Sequence, residues 1–311
     1  MRTPRYHRRP KPRVPLNTPE AFEDAHRCNE RRLGTYLHDA RGRSVSLGRD
    51  IVTELAPNAA MFLYANNADA RINYARITAD HMVRAVDRLP ADQKVFWVTL
   101  IRREYAVRED EAHAFNIDRI KHWTHQILRG CSYVGMVEAA LFTNLDVVGA
   151  AYKRTVSWHT HCQLWGVREE QIAQICDNAN ARYSTIVPAI EAAHYRPLMD
   201  AEVAGQAYYM SKGQISEYRV WARKEPMTDR VTGEITVRTT GRFTSKKRDL
   251  RPCDLARMCK VFAGRTLDQL SFAGGDGCAV LKAIRHEALG ELRRSENRPA
   301  AVRSPLQRPR P

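Results

Sequence analysis

The sequence predicts an α+β fold, in which a run of helices precedes a set of strands that alternate with helices. Two segments predict strands: residues 95–100 (VFWVTL) are rich in β-branched and aromatic residues, and residues 156–165 (VSWHTHCQLW) alternate two kinds of side chain. Between them, residues 115–129 place apolar side chains on one helical face, and Gly130 ends that helix. With 43% hydrophobic residues, the chain of 311 residues can bury a core.

The composition is strongly basic, with a formal net charge of +15. Such an excess points to a polyanionic partner, most often nucleic acid. The composition excludes a wholly disordered chain, a collagen-like repeat and a small disulfide scaffold. The sequence has no apolar run of about 18 residues and no apolar segment behind its basic N-terminus, so we expect neither a membrane helix nor a secretory signal. Seven scattered cysteines are typical of a reducing cytoplasm.

The first 90 residues are predicted to be an arm followed by helices. Residues 1–15 contain six Arg and Lys and no acid, so we expect a disordered basic arm. Thr18 followed by Pro19 is a helix start, because threonine caps the free amides and proline fits the first turn. Two or three helices then form an N-terminal helical region over residues 16–90, and Pro90 breaks the chain.

Strands and helices alternate through the middle of the chain. The pattern predicts a short strand over 133–138, the strand 156–165, a helix over 168–182, a strand near 190–196 and a helix capped by Asp200 that carries AEVAGQAYYMSK.

The C-terminal third is predicted to be a basic stretch followed by helices. Residues 219–251 hold ten Arg and Lys against four acids and a hairpin-like turn at Thr232-Gly233. Helices are expected over 253–262 and 278–292. Residues 263–291 would form a C-terminal helical region and 292–311 a disordered basic tail.

Two histidines stand two residues apart in the strand 156–165. His159 and His161 therefore point to the same face, with their roots about 6–7 Å apart, and their ring nitrogens can converge on one divalent metal. The opposite face is apolar, so the strand has a core face and a site face. Gln163 lies on the site face and could add a carbonyl ligand or only line the site. The alternative is a solvated polar face that happens to hold two histidines.

A carboxylate could complete such a metal site. Glu138 ends the predicted strand 133–138. Two neutral histidines leave a divalent ion short of negative charge, which a glutamate on a neighbouring strand would supply. The alternative for Glu138 is a solvent-facing position at the strand end.

Two tyrosines precede a lysine on the predicted helix. Tyr209 and Tyr208 lie three and four residues before Lys212, so both are its neighbours and spacing does not choose between them. A phenol has a pKa of about 10, and an adjacent ammonium group favours the nucleophilic phenolate and can hold a phosphate. The alternative is that one tyrosine packs in the core and Lys212 extends to solvent.

The order of these motifs resembles the HUH endonuclease superfamily, in particular the rolling-circle replication initiator (Rep) proteins of bacterial plasmids and phages. A core strand ending in Thr-Leu comes first (FWVTL, 96–100), His-x-His followed by apolar residues second (HTHCQLWGV, 159–167) and Tyr-x-x-Lys third (YMSK, 209–212). The resemblance covers roughly residues 95–215. Thr160 departs from it, because the family prefers a bulky apolar residue between the histidines.

The resemblance implies a fold and a location. It implies a mostly antiparallel central sheet with flanking helices, related to the ferredoxin-like arrangement, in a catalytic domain over residues 91–262. The His-x-His strand would lie centrally, and the tyrosine helix would pack beside it. The implied setting is the bacterial cytoplasm, with single-stranded origin DNA and the host helicase and polymerase as partners.

The resemblance also implies a reaction. His159, His161 and Glu138 would hold Mg²⁺ or Mn²⁺ against the scissile phosphate of single-stranded DNA. Tyr209 would attack the phosphorus, with Tyr208 as the alternative nucleophile, and leave a 5′-phosphotyrosine link and a free 3′-hydroxyl. Lys212 would contact the phosphate or the phenolate.

Other functions compete with this one. A transposase or a conjugative relaxase would share the chemistry, although relaxases usually carry three histidines and an N-terminal tyrosine, and here Tyr6 stands in the predicted arm. A non-catalytic basic nucleic-acid-binding protein would leave Tyr209 and the histidines apart. A zinc hydrolase would need a third strong ligand and no tyrosine.

The basic charge is concentrated in the two arms and in residues 219–251. The arms would attract DNA phosphates in a sequence-independent, salt-sensitive way. Trp165 could stack an unpaired base beside the site. The stretch 219–251 follows the tyrosine helix, where a DNA strand leaving the site would need a basic track, and we expect DNA contacts from Arg219, Arg223, Lys224, Lys246, Lys247 and Arg248.

Overall fold

A seven-stranded sheet with helices on both faces organises the protein in the computed structural model. The structure describes residues 16–39, 44–188, 190–228 and 232–296, with side chains as far as residue 290. The predicted arm 1–15 and residues 297–311 of the predicted tail lie outside the described residues. The predicted α+β fold, with a mostly antiparallel central sheet and flanking helices, is confirmed.

The elements follow one another in an alternating order over most of the chain. The helices are α1 (Pro19–His38), α2 (Arg49–Glu54), α3 (Ala68–Val86), α4 (Ile117–Ile127), α5 (Glu169–Arg182), α6 (Asp200–Met210), α7 (Pro252–Val261), α8 (Leu267–Leu270) and α9 (Gly277–Glu296). The strands are β1 (Val95–Arg108), β2 (Ser132–Thr143), β3 (Arg154–Trp165), β4 (Ala193–Leu198), β5 (Ser216–Thr228), β6 (Ile235–Asp249) and β7 (Ser271–Gly274).

The centre of the sheet has the ferredoxin-like topology. The elements β1, α4, β2, β3, α5 and β4 form a βαββαβ unit whose strands lie in the order β4-β1-β3-β2, with every neighbouring pair antiparallel. Strand β5 then joins β2 in parallel, and β6 pairs with β5. Strand β3, which carries the two histidines, therefore lies in the middle of the sheet, as expected.

Both faces of β3 are covered. On one face, Thr160 Oγ1 lies 3.1 Å from Thr124 Oγ1 of α4. On the other face, the side chain of Gln163 donates a 2.9 Å hydrogen bond to the Val203 carbonyl of α6. Helix α1 packs on the same α6 through Phe22. The predicted site face is thus a buried layer between the sheet and the helices, and the alternative of a solvated polar face is excluded.

Local signals explain where the helices begin and end. The Thr18 hydroxyl accepts a hydrogen bond from the Ala21 amide at the start of α1, and Gly130 has a left-handed φ of +84° just beyond α4. The prediction that Asp200 caps α6 was wrong. The cap residue is Met199, whose amide donates to the Glu202 carboxylate at 3.0 Å.

The C-terminal region differs from its purely helical prediction. Strand β7, within residues 263–291, pairs with β2, and four residues were too short a run to stand out in the sequence. Helix α9 continues through residues 292–296, which were predicted to be disordered. Its last turns hold leucine, glutamate and arginine, straight-chain residues that lose little freedom in a helix.

Two expectations about the environment can be compared with the structure. None of the described helices is long and apolar enough to cross a membrane. The seven cysteines all lie in the described ranges, and all are free thiols.

Gly135 of β2 is predicted to be essential for the contact between β2 and β3. A Cβ atom there would lie 2.6 Å from Cys162 Sγ and 2.9 Å from the His161 carbonyl oxygen. We expect Gly135→Ala to lower the free energy of unfolding by about 1–3 kcal/mol through overpacking. Gly34→Ala is the matched control, because Gly34 lies inside α1 and an added Cβ atom would meet no neighbouring group within 4 Å. This change should be stabilising by about 0.5–1 kcal/mol. Denaturant titration compares the two, and equal stabilities would contradict the packing described.

Candidate active site

Three predicted metal ligands converge on one point. Glu138 of β2 lies opposite His159 of β3 in the sheet register. Glu138 Oε2 is 3.0 Å from His161 Nε2 and 3.5 Å from His159 Nε2, and the two Nε2 atoms are 3.2 Å apart. All three ligand atoms lie within 4.8 Å of one another, so the group could hold a metal ion.

The two imidazoles are oriented by their other nitrogens. His159 Nδ1 lies 3.2 Å from the Ser157 carbonyl oxygen, to which it can only donate, and His161 Nδ1 lies 2.9 Å from Thr99 Oγ1. A donated proton at Nδ1 leaves the Nε2 lone pair free to bind a cation. The rings are therefore held with their ligand atoms aimed at Glu138.

The protonation states suit a cation. Burial and the positive charge of Lys212 lower the pKa of His161 to about 3, so this ring is neutral at physiological pH. Burial alone would raise the pKa of Glu138, but the Lys212 ammonium and the His159 ring hold it well below its usual range. Two imidazole nitrogens and one carboxylate are a mixed donor set that fits a divalent transition metal such as Mn²⁺. The predicted ligand group fits a divalent cation, while the choice between Mg²⁺ and Mn²⁺ stays a prediction.

Lys212 is buried at the same point. Lys212 was predicted to lie on the tyrosine helix. Helix α6 ends at Met210, so Lys212 lies in the turn beyond it. Its ammonium group forms an ion pair with Glu138 Oε2 and lies 3.4 Å from His161 Nε2. Only 1% of Lys212 is exposed. The alternative in which this lysine extends to solvent is excluded.

Tyr209 stands next to this group. Its ring centroid is 5.7 Å from that of His161 and 4.0 Å from Lys212 Nζ. Its hydroxyl lies 3.5 Å from Lys247 Nζ. The charge of Lys212 lowers the pKa of the Tyr209 phenol, against the opposing effect of burial. The half-buried phenol is thus biased toward phenolate.

Tyr208 points elsewhere. It is buried, and its ring lies 5.4 Å from Phe22 of α1. Burial raises the pKa of Tyr208, which is the opposite of the change at Tyr209. One residue along a helix turns a side chain by about 100°, so only one of the two tyrosines can face the histidines. Spacing left this choice open, and the structure selects Tyr209.

A groove of about 830 Å³ gives access to Tyr209. Trp97 of β1 lines it and stacks on His161 at 4.9 Å between ring centroids. Trp165, which was expected to stack an unpaired base beside the site, is buried and does not line the groove. Only the pairing of β1 with β3, which a single sequence does not reveal, could have pointed to Trp97.

The helices before Pro90 hold the turn that carries Lys212. Arg71 of α3 donates a 2.9 Å hydrogen bond to the Ser211 carbonyl and a 3.1 Å bond to the Ala65 carbonyl. Gly213 has a left-handed φ of +59°, and a Cβ there would lie 2.5 Å from Arg71 Cζ. Burial lowers the pKa of Arg71 to about 10, so it stays charged at neutral pH. No sequence signal identified Arg71 as a positioning residue.

The predicted DNA-binding residues do not form one track. Lys247 alone among them contacts Tyr209 in the described structure. The register of β5 and β6 places Arg219 and Arg248 on the face opposite to Lys247. There they lie 4.4 Å and 5.8 Å from the ring of Trp221. The remaining members are exposed: Arg223, Lys224 and Lys246.

Comparison of the chain with protein-family models, with curated proteins and with solved structures found no match.

We predict that Mn²⁺ stabilises the protein through this group. A cation that binds only the folded state at 100 times its Kd adds about 2.7 kcal/mol to the free energy of unfolding, which thermal unfolding detects as a higher melting temperature. His159→Ala and His161→Ala should lose this shift. His122→Ala on the exposed side of α4 is the control and should retain it. An equal shift in all variants would place the metal elsewhere.

We predict that Arg71 controls the pKa of Tyr209 through the Lys212 turn. In Arg71→Met the Ser211 carbonyl loses its donor, the ammonium is no longer fixed over the ring, and the phenol pKa should rise toward its usual value of about 10. Tyrosine-specific ¹³C NMR titration measures this pKa, with Tyr209→Phe assigning the resonance. Arg71→Lys should restore part of the lowering. A pKa that is the same in Arg71→Met and the wild type would contradict this role.

Proposed function

We propose that this protein is a metal-dependent endonuclease that nicks single-stranded origin DNA with Tyr209 and so initiates rolling-circle replication. The observation that carries the proposal is the convergence of Glu138, His159 and His161 with a buried lysine and with a half-buried tyrosine that lines the groove. The order of the three sequence motifs supports it independently.

The side chains of the groove suit attack on a phosphodiester. The charge of Lys212 lowers the pKa of the Tyr209 phenol, which favours the nucleophilic phenolate, and Lys247 beside its hydroxyl adds a second positive charge for a phosphate. Trp97 offers an aromatic edge next to Tyr209, at 5.8 Å between ring centroids. A divalent cation bound by the ligand group would polarise the scissile phosphate.

The proposed reaction is a transesterification, which conserves the energy of the phosphodiester bond because one phosphate ester replaces another. The Tyr209 oxygen forms a bond to phosphorus while the bond from phosphorus to the 3′-oxygen breaks. The 5′ end stays attached to the protein as a phosphotyrosine ester, and the released 3′-oxygen takes up a proton. The free 3′-hydroxyl can prime a host polymerase behind a host helicase, and its attack on the phosphotyrosine religates the strand.

The competing functions make different demands on the geometry. A non-catalytic nucleic-acid-binding protein predicts that Tyr209 and the histidines lie apart, whereas their rings are 5.7 Å from each other. A zinc hydrolase finds its third ligand in Glu138 but leaves the lowered pKa of Tyr209 without a use. A transposase or a relaxase would share the reaction and differ in the DNA that it joins.

The proposal predicts a covalent adduct that depends on one tyrosine. Purified protein with Mn²⁺ and a single-stranded oligonucleotide that carries the origin should form a species of slower mobility on a denaturing gel. Tyr209→Phe should reduce its yield at least about 10⁴-fold, because the phenyl ring has no attacking oxygen.

Tyr208→Phe is the matched control and should retain the adduct. Retention by Tyr209→Phe with loss in Tyr208→Phe would reverse the assignment. If the wild type and both variants all cut the strand and leave a free 5′-phosphate, the enzyme is a hydrolase and not a transesterase.

A further inference from the structure

The hairpin of β5 and β6 extends well beyond the sheet. Strand β5 contacts β2 only at residues 217–219, and from there outward its ladder partner is β6. The pairing continues from Lys224 opposite Thr239 to Thr228 opposite Ile235. We call these two segments, Arg223–Thr228 and Ile235–Thr239, the outer ribbon.

A bulge separates the outer ribbon from the sheet. The register shifts between Ala222 and Lys224, and the extra residues lie in β6, where Gly241 has a left-handed φ of +72°. The hydroxyl of Thr240 donates to the Arg223 carbonyl at 3.3 Å across this bulge. Bulges of this kind bend a ribbon and increase its twist. This bulge therefore sets the direction in which the outer ribbon leaves the sheet.

Every described residue of the outer ribbon is exposed. Met227, Ile235 and Val237 are 48%, 68% and 63% exposed, although they are apolar. A two-stranded hairpin that packs on nothing is at best marginally stable in water. Exposed β-branched side chains on such a hairpin indicate a surface that a partner covers.

The outer ribbon and its base are basic on balance, although Glu225 lies opposite Arg238 in the register. Arg223, Lys224, Arg238 and Arg242 are exposed, and none of them forms an ion pair with another described residue. Toward the sheet, Arg219 and Arg248 flank Trp221. Unpaired cations along an exposed ribbon favour a polyanionic partner over an apolar one.

We propose that the outer ribbon binds duplex DNA next to the strand that Tyr209 cuts. A DNA groove admits a two-stranded β-ribbon. Lys224, Ile235 and Val237 share one face of the ribbon. Ile235 and Val237 would meet base edges within the groove, and the long side chains of Lys224, Arg223 and Arg238 would reach phosphates on its two sides. Lys247, which contacts Tyr209, lies opposite Tyr218 of β5. Because Tyr218 is six residues before Lys224, the outer ribbon begins about 20 Å along the strand from Lys247. Only the position of this duplex beside the cut rests on the proposed function.

The test measures binding without chemistry. Fluorescence anisotropy in EDTA, where no adduct forms, gives the Kd for a labelled duplex of about 30 base pairs and for one of its strands alone. Arg223→Glu combined with Lys224→Glu is compared with Arg129→Glu combined with Arg182→Glu. The second pair is exposed, with Arg129 just beyond α4 and Arg182 at the last residue of α5, and it changes the net charge equally.

The ribbon variant should bind the duplex at least about tenfold more weakly than the control variant, with a smaller loss on the single strand. The slope of log K against log salt should become less steep by about 1.8, the value for two lost phosphate contacts. Equal losses in the two variants, or equal losses on duplex and single strand, would overturn the proposal. So would a change of oligomeric state in the ribbon variant without a change in duplex affinity, which would make the ribbon a protein interface. None of these results depends on whether Tyr209 is a nucleophile.

Discussion

The buried ion pair between Lys212 and Glu138 is the constraint on which the site depends. Two opposite charges in a water-poor interior are tolerated only when each has partners in good geometry, and losing either partner strands a buried charge. Glu138 meets two imidazoles and one ammonium, and Lys212 meets a carboxylate and the face of Tyr209. The pKa values that suit this group for a cation, and that favour the phenolate, follow from the same few contacts.

The rest of the fold serves that pair. Pairing of β2 with β3 brings Glu138 to the histidines, and the end of α6 brings Lys212 to Glu138. Helix α6 covers the site face, helices α1 and α3 pack on α6, and Arg71 fixes the turn after α6. The described part of residues 16–90, to which the sequence assigned no role, thus supports the turn that carries Lys212 through His26 and Arg71. The groove reaches Tyr209, whereas Glu138, His159 and His161 are buried and do not line it.

Sequence patterns reached the parts of this site that depend on local geometry. Alternation along β3 placed His159 and His161 on one face, and the tyrosine helix was expected beside them. What the sequence left open or missed depends on contacts between distant segments. The two tyrosines are distinguished by the packing of Phe22 in α1 on Tyr208. Trp97 reaches the site through the pairing of β1 with β3, and Arg71 through the approach of α3 to a turn 140 residues later. The basic stretch was recognised, but its division between two faces depends on the register of a hairpin.

The most direct test of the central claim is to identify the atom that becomes linked to DNA. Protein that has reacted with a 5′-labelled or mass-tagged origin strand is digested with nuclease and protease, and the modified peptide is sequenced by mass spectrometry. The account predicts a nucleotide joined through its 5′-phosphate to the oxygen of Tyr209. A nucleotide on Tyr208 or on any other residue, or cleavage that leaves every peptide unmodified, would contradict it.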